Sequence, residues 1–394
     1  MLVAMTVLQL VGLGFVLTGC SGNEGVDDSG PDRGDTADDP YVHCSDGMAW
    51  YEGDLYLSEQ SDLDQVCLEF NGIQGDLEVY LGSAADPVNE LDGISCLCQV
   101  TGDVDIYWMV TDAADTGGEA TDTGAGGGDD DTGKPAGSSS PPPVEPSSVP
   151  PPHRSGEIEL IELVEVGGDL RIHDIPGVTG VTRMELLETV GGDLVLDGLP
   201  QLVEINLSGL TSVAGVLRWK GLEILETVEL PGLTALGGIE LGERGEDTLL
   251  GELETFSIPQ VSSVPGDLAL LGTPLLASLD LSALELVGGG LRIEGMCALD
   301  PSLGALASVG SLWVAAQCSG SPLDALGSLT TVSSETAEIA VGISHLDELT
   351  EAQAEAFVEA LAIPDGATTT IDLDEGCEEA WVDWYSTHQE YVCP

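Results

Sequence analysis

Six aspartates follow a glycine in a recurring context: Asp54, Asp76, Asp103, Asp169, Asp193 and Asp267. Carboxylates lined up in a row repel one another, and calcium, which takes oxygen ligands, relieves such repulsion. The same Gly-Asp dipeptide also makes a chain corner, with the carboxylate accepting from nearby backbone amides. The corner reading is favoured, because no EF-hand loop and no calcium-binding nonapeptide repeat occurs. Calcium is the only cofactor in view. The five histidines (His43, His153, His173, His345 and His388) share no ligand spacing. No nucleophile elbow, phosphate loop or His-Glu-x-x-His motif is present. No catalytic residue or metal set is therefore assigned, and a non-enzymatic role is expected. Acidic residues number 70 against 9 basic, for a formal charge of -61. Binding of nucleic acid needs clustered Lys and Arg and is excluded as a general property.

The six aspartates share one local setting. Each opens a run of the form Gly-Asp-Leu-x-apolar, as in Gly168-Asp169-Leu170-Arg171-Ile172 and Gly192-Asp193-Leu194-Val195-Leu196. Looser copies centre on Leu217, Ile239, Leu291 and Leu312. From Leu170 to Leu312 the successive steps are 24, 23, 22, 29, 23 and 21 residues. A period of about 20–30 residues means stacked supersecondary units. Alternation of apolar and polar residues within each copy predicts a strand with one face buried. A second alternating element lies halfway round: Leu202–Leu207, Leu225–Leu230, Leu253–Ile258 and Leu276–Leu281. Pro200, Pro231, Pro259 and Pro274 mark corners. Aromatics are only 4% of the chain while Gly counts 52, so the core of these coils is aliphatic.

The pattern Leu-x-x-Ile-x-Leu-x-x-Leu-x-x-Val-x-Gly-x-Leu-x-Ile resembles the receptor L domain, a leucine-rich-repeat-like solenoid found in receptor ectodomains, fungal wall proteins and bacterial surface lipoproteins. The resemblance spans roughly residues 41–335, without the recurring Asn ladder of leucine-rich repeats. The expected fold is mainly β: a right-handed β-solenoid of 21–29-residue coils, ending in a helix-containing cap over 336–394. Residues 109–155, rich in Asp, Gly, Thr, Ser and Pro, interrupt it as a disordered insertion. The distance from Ile158 to Leu170 matches that from Ile205 to Leu217, so the insertion reads as a loop within one coil; a linker between two domains is the alternative. In the cap, Thr350 and Gln353 form a capping box before the apolar stripe Ala354, Phe357, Val358 and Leu361, which predicts a helix over 349–361 and then a strand near 370–373.

The same register bears on the nine cysteines. Cys297 and Cys318 each lie six residues beyond Leu291 and Leu312, so they stack about 4.8 Å apart in successive coils, within reach of a disulfide. Cys44 and Cys67, eleven and ten residues before Leu55 and Leu77, stack by the same count. Cys96 and Cys98 are then left over, and connectivity among these four stays open. Cys377 and Cys393 pair in the tail by proximity. Eight cysteines besides Cys20 suit an oxidising compartment.

At the N-terminus, residues 1–17 are apolar and no charge precedes Glu24, as in a signal-peptide core. Leu17-Thr18-Gly19-Cys20 resembles the lipobox of bacterial lipoproteins. That resemblance implies a signal peptide over 1–19 and a diacylglycerol anchor on Cys20. Ser21 in place of an aspartate implies an outer-membrane or cell-surface address. Residues 20–40 follow as a flexible acidic tether.

Outward positions of the first strand, read coil by coil, collect Tyr56, Tyr80, Tyr107, Arg171, His173, Arg218, Lys220 and Arg292. Tyr and Arg favour recognition surfaces. Cross-strand pairing of the cations with neighbouring acids is the plainer explanation of their placement. The expected role is non-catalytic recognition of a protein or a glycan on this face, by a protein held to the membrane through lipid. The alternative is a structural envelope spacer without a specific ligand.

Overall fold

Three short runs of residues make one turn of this chain, and the turn repeats. The computed structural model describes residues 44–81, 94–108, 156–242, 250–295, 303–317, 322–333, 339–346 and 349–373. The strand read from the Gly-Asp motif forms the front of each coil. Among the described residues, eleven parallel pairings join these fronts, hence twelve rungs, from Leu55↔Leu77 and Leu77↔Val104 through Val104↔Leu170 to Val341↔Thr369. The residues picked out by the period (Leu170, Leu194, Leu217, Ile239, Leu268, Leu291 and Leu312) are direct partners in this ladder. The fold is a mainly β, parallel β-solenoid with turns of about 23 residues.

A second strand precedes each front strand, as in Thr189–Val190, which pairs with Glu165–Val166 and with Ser212 and Val213. This side was not read from the sequence, because each of its strands is short and the following glycines interrupt the alternation. The third side carries the second alternating element. It forms two three-stranded sheets, one pairing Ile158, Val181 and Ile205, the other Val228, Phe256 and Leu279. Between the sides, Leu-x-x-Leu sequences make tight turns. The amides of Leu187, Leu210, Leu233 and Leu284 donate to the carbonyls of Met184, Leu207, Leu230 and Leu281, three residues back. Both ends of such a turn point inward, and all eight side chains are buried. These turns place buried aliphatic residues, mostly leucine, where the coil bends, and the stacked bends continue the aliphatic core.

The glycines before each front strand are required by close approach. A Cβ at Gly191 would sit 2.0 Å from the Gly167 carbonyl oxygen of the coil below. One at Gly192 would sit 1.9 Å from Asp169 Oδ1. The carboxylate fills the space that the next coil's missing side chain leaves open. Just after the front strand the chain turns through a left-handed residue, and Gly198, Gly221, Gly272 and Gly295 take it at φ of 60–67°. The equivalent position in the Leu170 coil is Asp174, at φ 56°.

The sheet continues across the sequence gap between residues 108 and 156. Val104–Tyr107 pairs directly with Leu170–His173, and Gln99–Val100 with Glu165–Val166. The insertion at 109–155 itself lies outside the described residues, as do Cys20, Cys297, Cys318, Cys377 and Cys393. At the other end, the helix Glu351–Ala360 carries the capping box between Thr350 and Gln353, and Thr369–Asp372 adds the last rung.

The first coils differ most from expectation. A helix, Gln60–Glu69, stands between the first two rungs and buries Leu63, Val66 and Cys67. Because Cys67 sits on this helix, counting back from Leu77 does not set its partner. The register stack of Cys44 on Cys67 is replaced by two other bridges, Cys44–Cys98 and Cys67–Cys96, with Cα separations of 5.7 and 5.6 Å. Cys98 directly precedes Gln99–Val100, and its amide donates to the Asn71 carbonyl. Two disulfides in a chain of this kind fit an oxidising, extracytoplasmic compartment.

Candidate functional site

The aspartate row staples neighbouring coils together. The amide of Asp76 donates to Asp54 Oδ1 at 3.1 Å, Asp103 to Asp76 at 2.9 Å and Asp169 to Asp103 at 2.8 Å. Asp193 donates to Asp169 at 2.6 Å and Val216 to Asp193 at 2.8 Å. The series lapses where Val216 and Gly238 replace aspartate, and resumes with Gly290 donating to Asp267 at 2.7 Å. The corner reading of Gly-Asp is therefore modified: the amide each carboxylate serves belongs to the next coil. A hydrogen bond to a charged acceptor contributes about 1.5–3 kcal/mol.

The second carboxylate oxygen faces outward, and arginines meet it on two rungs. Arg171 lies 3.6 Å from Asp103 Oδ2 and is hydrogen-bonded to Asp169. Arg218 lies 3.5 Å from Asp193 Oδ2 and bonds Glu240 at 2.7 Å, which holds its guanidinium even more firmly protonated. Lys220 reaches Asp197 at 3.3 Å, and Arg292 reaches Glu294 at 2.6 Å. The four cations expected on this face are there, and each is paired with an acid on the face or beneath it.

The three tyrosines and the histidine occupy neighbouring rungs. Tyr80, Tyr107 and His173 are register partners in one column. Ring centroids of Tyr80 and Tyr107 are 5.5 Å apart; Tyr107 and His173 stack at 5.3 Å with an interplanar angle of 7°. The Tyr107 hydroxyl donates to Glu78 Oε1 at 2.5 Å, and this bond with burial pushes its pKa well above the ordinary phenol range. His173 sits between two acids: Nε2 is 2.9 Å from Asp105 Oδ1, and Nδ1 is 2.9 Å from Asp174 Oδ2. The Asp105 bond, with Asp174 adding and burial opposing, raises the imidazole to about 9. It is a cation at neutral pH, lying on the face of Tyr107. Tyr56, in the adjacent column beside Glu78, is 54% exposed.

Two members of this surface were missed in the sequence. Asp174 is legible only when the coils are aligned on their left-handed corner, where its counterparts are glycines. Trp313, the register partner of Arg292, lies over Gly342, where an added Cβ would fall 2.1 Å from the indole. Among the described residues, one group has metal-ligand proximity: Cys44, Cys98 and Glu162. The two sulfurs are joined in a disulfide, and Glu162 accepts the Cys44 amide at 2.8 Å, so this cluster is structural. No helix among the described residues is long and apolar enough to cross a membrane. No protein-family model, no curated protein and no solved structure matches the chain.

Proposed function

We propose that this chain is an exported, non-catalytic recognition protein, tethered to a bacterial envelope by lipid on Cys20, that binds a protein or a glycan with the front sheet of its solenoid. One observation carries the reading: Tyr56, Tyr80 and Tyr107 stand on adjoining rungs of one sheet face, Tyr56 exposed and the other two half-buried, interleaved with Glu78 and Asp105. Tyrosine supplies contact area at small entropic cost, and a sheet held by stacked coils presents it without rearrangement. The two disulfides agree with export. The receptor L-domain resemblance of the repeat points the same way.

A second reading is an envelope spacer with no specific ligand. The pairing of Arg171, Arg218, Lys220 and Arg292 with acids favours it, since these cations are engaged in holding the stack. A pull-down of the full chain from envelope extract separates the two. The bait pair is wild type and Tyr56→Ala/Tyr80→Ala, with folding checked by circular dichroism. Recognition predicts a partner retained by wild type and lost from the variant. Equal retention by both places the partner off the tyrosine face and overturns this site, and none by either leaves the spacer reading. In cells, the anchor predicts that Cys20→Ala moves the chain from the membrane to the soluble fraction.

A further inference from the structure

The front face is electrostatically divided along its length. From the Val104 rung to the Leu194 rung, Asp103, Asp105, Asp193 and Asp197 are matched by Arg171, His173, Arg218 and Lys220. The first two rungs have no such match. Asp54, Asp76 and Glu78 stand there with Tyr56 and Tyr80, and no cation of the described residues lies against these three acids. Asp54 and Asp76 each give one oxygen to an amide of the next coil; their side chains are otherwise exposed. Glu78 accepts from the Tyr107 hydroxyl with one oxygen.

Such a surface selects its ligand by sign. An anionic glycan meets three carboxylates with no counter-charge. A guanidinium or ammonium group meets carboxylates that it can bond with charge assistance, and phenol rings that attract cations. The patch also extends over more than one rung, each about 4.8 Å from the next, and so spans more than a single ammonium group. An extended peptide segment, with side chains of one face about 7 Å apart, can place two basic residues along it. We infer that the first rungs of the front sheet dock a basic peptide segment of a partner protein, its Lys or Arg side chains engaging Asp54, Asp76 and Glu78 while Tyr56 and Tyr80 pack against their stems. This inference rests on the recognition reading and narrows its ligand class to a cationic protein segment.

The test is fluorescence anisotropy with the full chain and three labelled probes: an Arg-Ser-Arg-Ser-Arg peptide, its Glu-Ser-Glu-Ser-Glu counterpart and a neutral cello-oligosaccharide. A protein this acidic collects polycations without selection, so two variant pairs are compared. Tyr56→Ala/Tyr80→Ala leaves the charge unchanged and is expected to weaken the basic peptide about tenfold or more. Glu204→Gln/Glu229→Gln removes two exposed acids from the third side and is expected to change it less than about twofold. An equal effect of both pairs overturns the inference, as does a basic peptide that does not bind at all. If the oligosaccharide binds and depends on the tyrosines, the ligand class is overturned while recognition stands. If the envelope pull-down is also empty, recognition itself falls.

Discussion

His173 shows what one position can carry in this scaffold. Its imidazole bridges Asp105 on the neighbouring rung and Asp174 at the coil's own corner, and Tyr107 covers one face. The folded pKa of about 9 lies above the ordinary value of 6.5. A group whose pKa rises on folding stabilises the fold fully below its unfolded value, and that contribution is lost as pH rises through the folded value. The expected window therefore opens at 6.5 and closes through about 9. A His173→Gln variant should melt below wild type in mildly acidic buffer, with the deficit shrinking across that window and absent above it. Proton NMR of the imidazole should give a midpoint close to the upper end. A midpoint near 6.5 would show that the two acids do not clamp the ring. The sequence revealed that His173 faces outward but not what it meets. Asp105 could be found by register, whereas Asp174 required knowing that the corner after the strand is left-handed and usually glycine.

Between elements, the Gly-Asp pair is one device divided over two coils, and this makes a non-additive prediction. Asp169→Ala leaves the Asp193 amide without its acceptor and removes a partner of Arg171, so a loss of about 1–3 kcal/mol is expected. Gly192→Ala drives a Cβ to 1.9 Å from Asp169 Oδ1 and is expected to cost about 1–3 kcal/mol. In the double variant the offending carboxylate is gone. Its cost in urea unfolding should fall short of the sum by more than about 0.5 kcal/mol, the scatter expected of independent sites. Strict additivity would mean that the carboxylate does not occupy the glycine's space. These front strands were legible because two inward aliphatics recur from coil to coil, with Gly-Asp ahead of them at Asp54, Asp76, Asp103, Asp169, Asp193 and Asp267. The side carrying Val166, Val190 and Val213 was not, since each strand offers only one inward residue before the glycines. The helix Gln60–Glu69 escaped for another reason: Glu59 at its N-cap makes no side-chain bond, so the capping signal that marked the later helix is missing here. The helix Glu351–Ala360, with Thr350 and Gln353 bonded reciprocally, was legible from those residues.

Over the whole molecule, the stack is quasi-one-dimensional, because each coil touches mainly the coils above and below it. Stability is then a sum of local terms, and the ends are the weak points. The N-terminal end is held by devices not found among the described residues of the middle: the helix Gln60–Glu69 and the bridges Cys44–Cys98 and Cys67–Cys96. Cys67 and Cys96 are buried beside the first rungs, and buried Asn71 ties the same region together by accepting the Ala49 amide and donating to the Gly47 carbonyl. Disulfides of this kind contribute about 2–5 kcal/mol each. In a globular domain that loss would be shared by the whole fold. Here it should stay local, because no covalent link among the described residues joins the first coils to those beyond Leu170. After reduction and alkylation, hydrogen exchange should rise in the amides of the Leu55, Leu77 and Val104 rungs. Those of Leu217, Ile239 and Leu268, flanked on both sides by intact coils, should keep their protection. Uniform loss along the chain would show that the solenoid unfolds as a single cooperative unit. The same experiment bears on function, since Tyr56, Tyr80, Asp54 and Asp76 all ride on the first coils. The basic peptide should lose its binding on reduction while the central rungs remain folded.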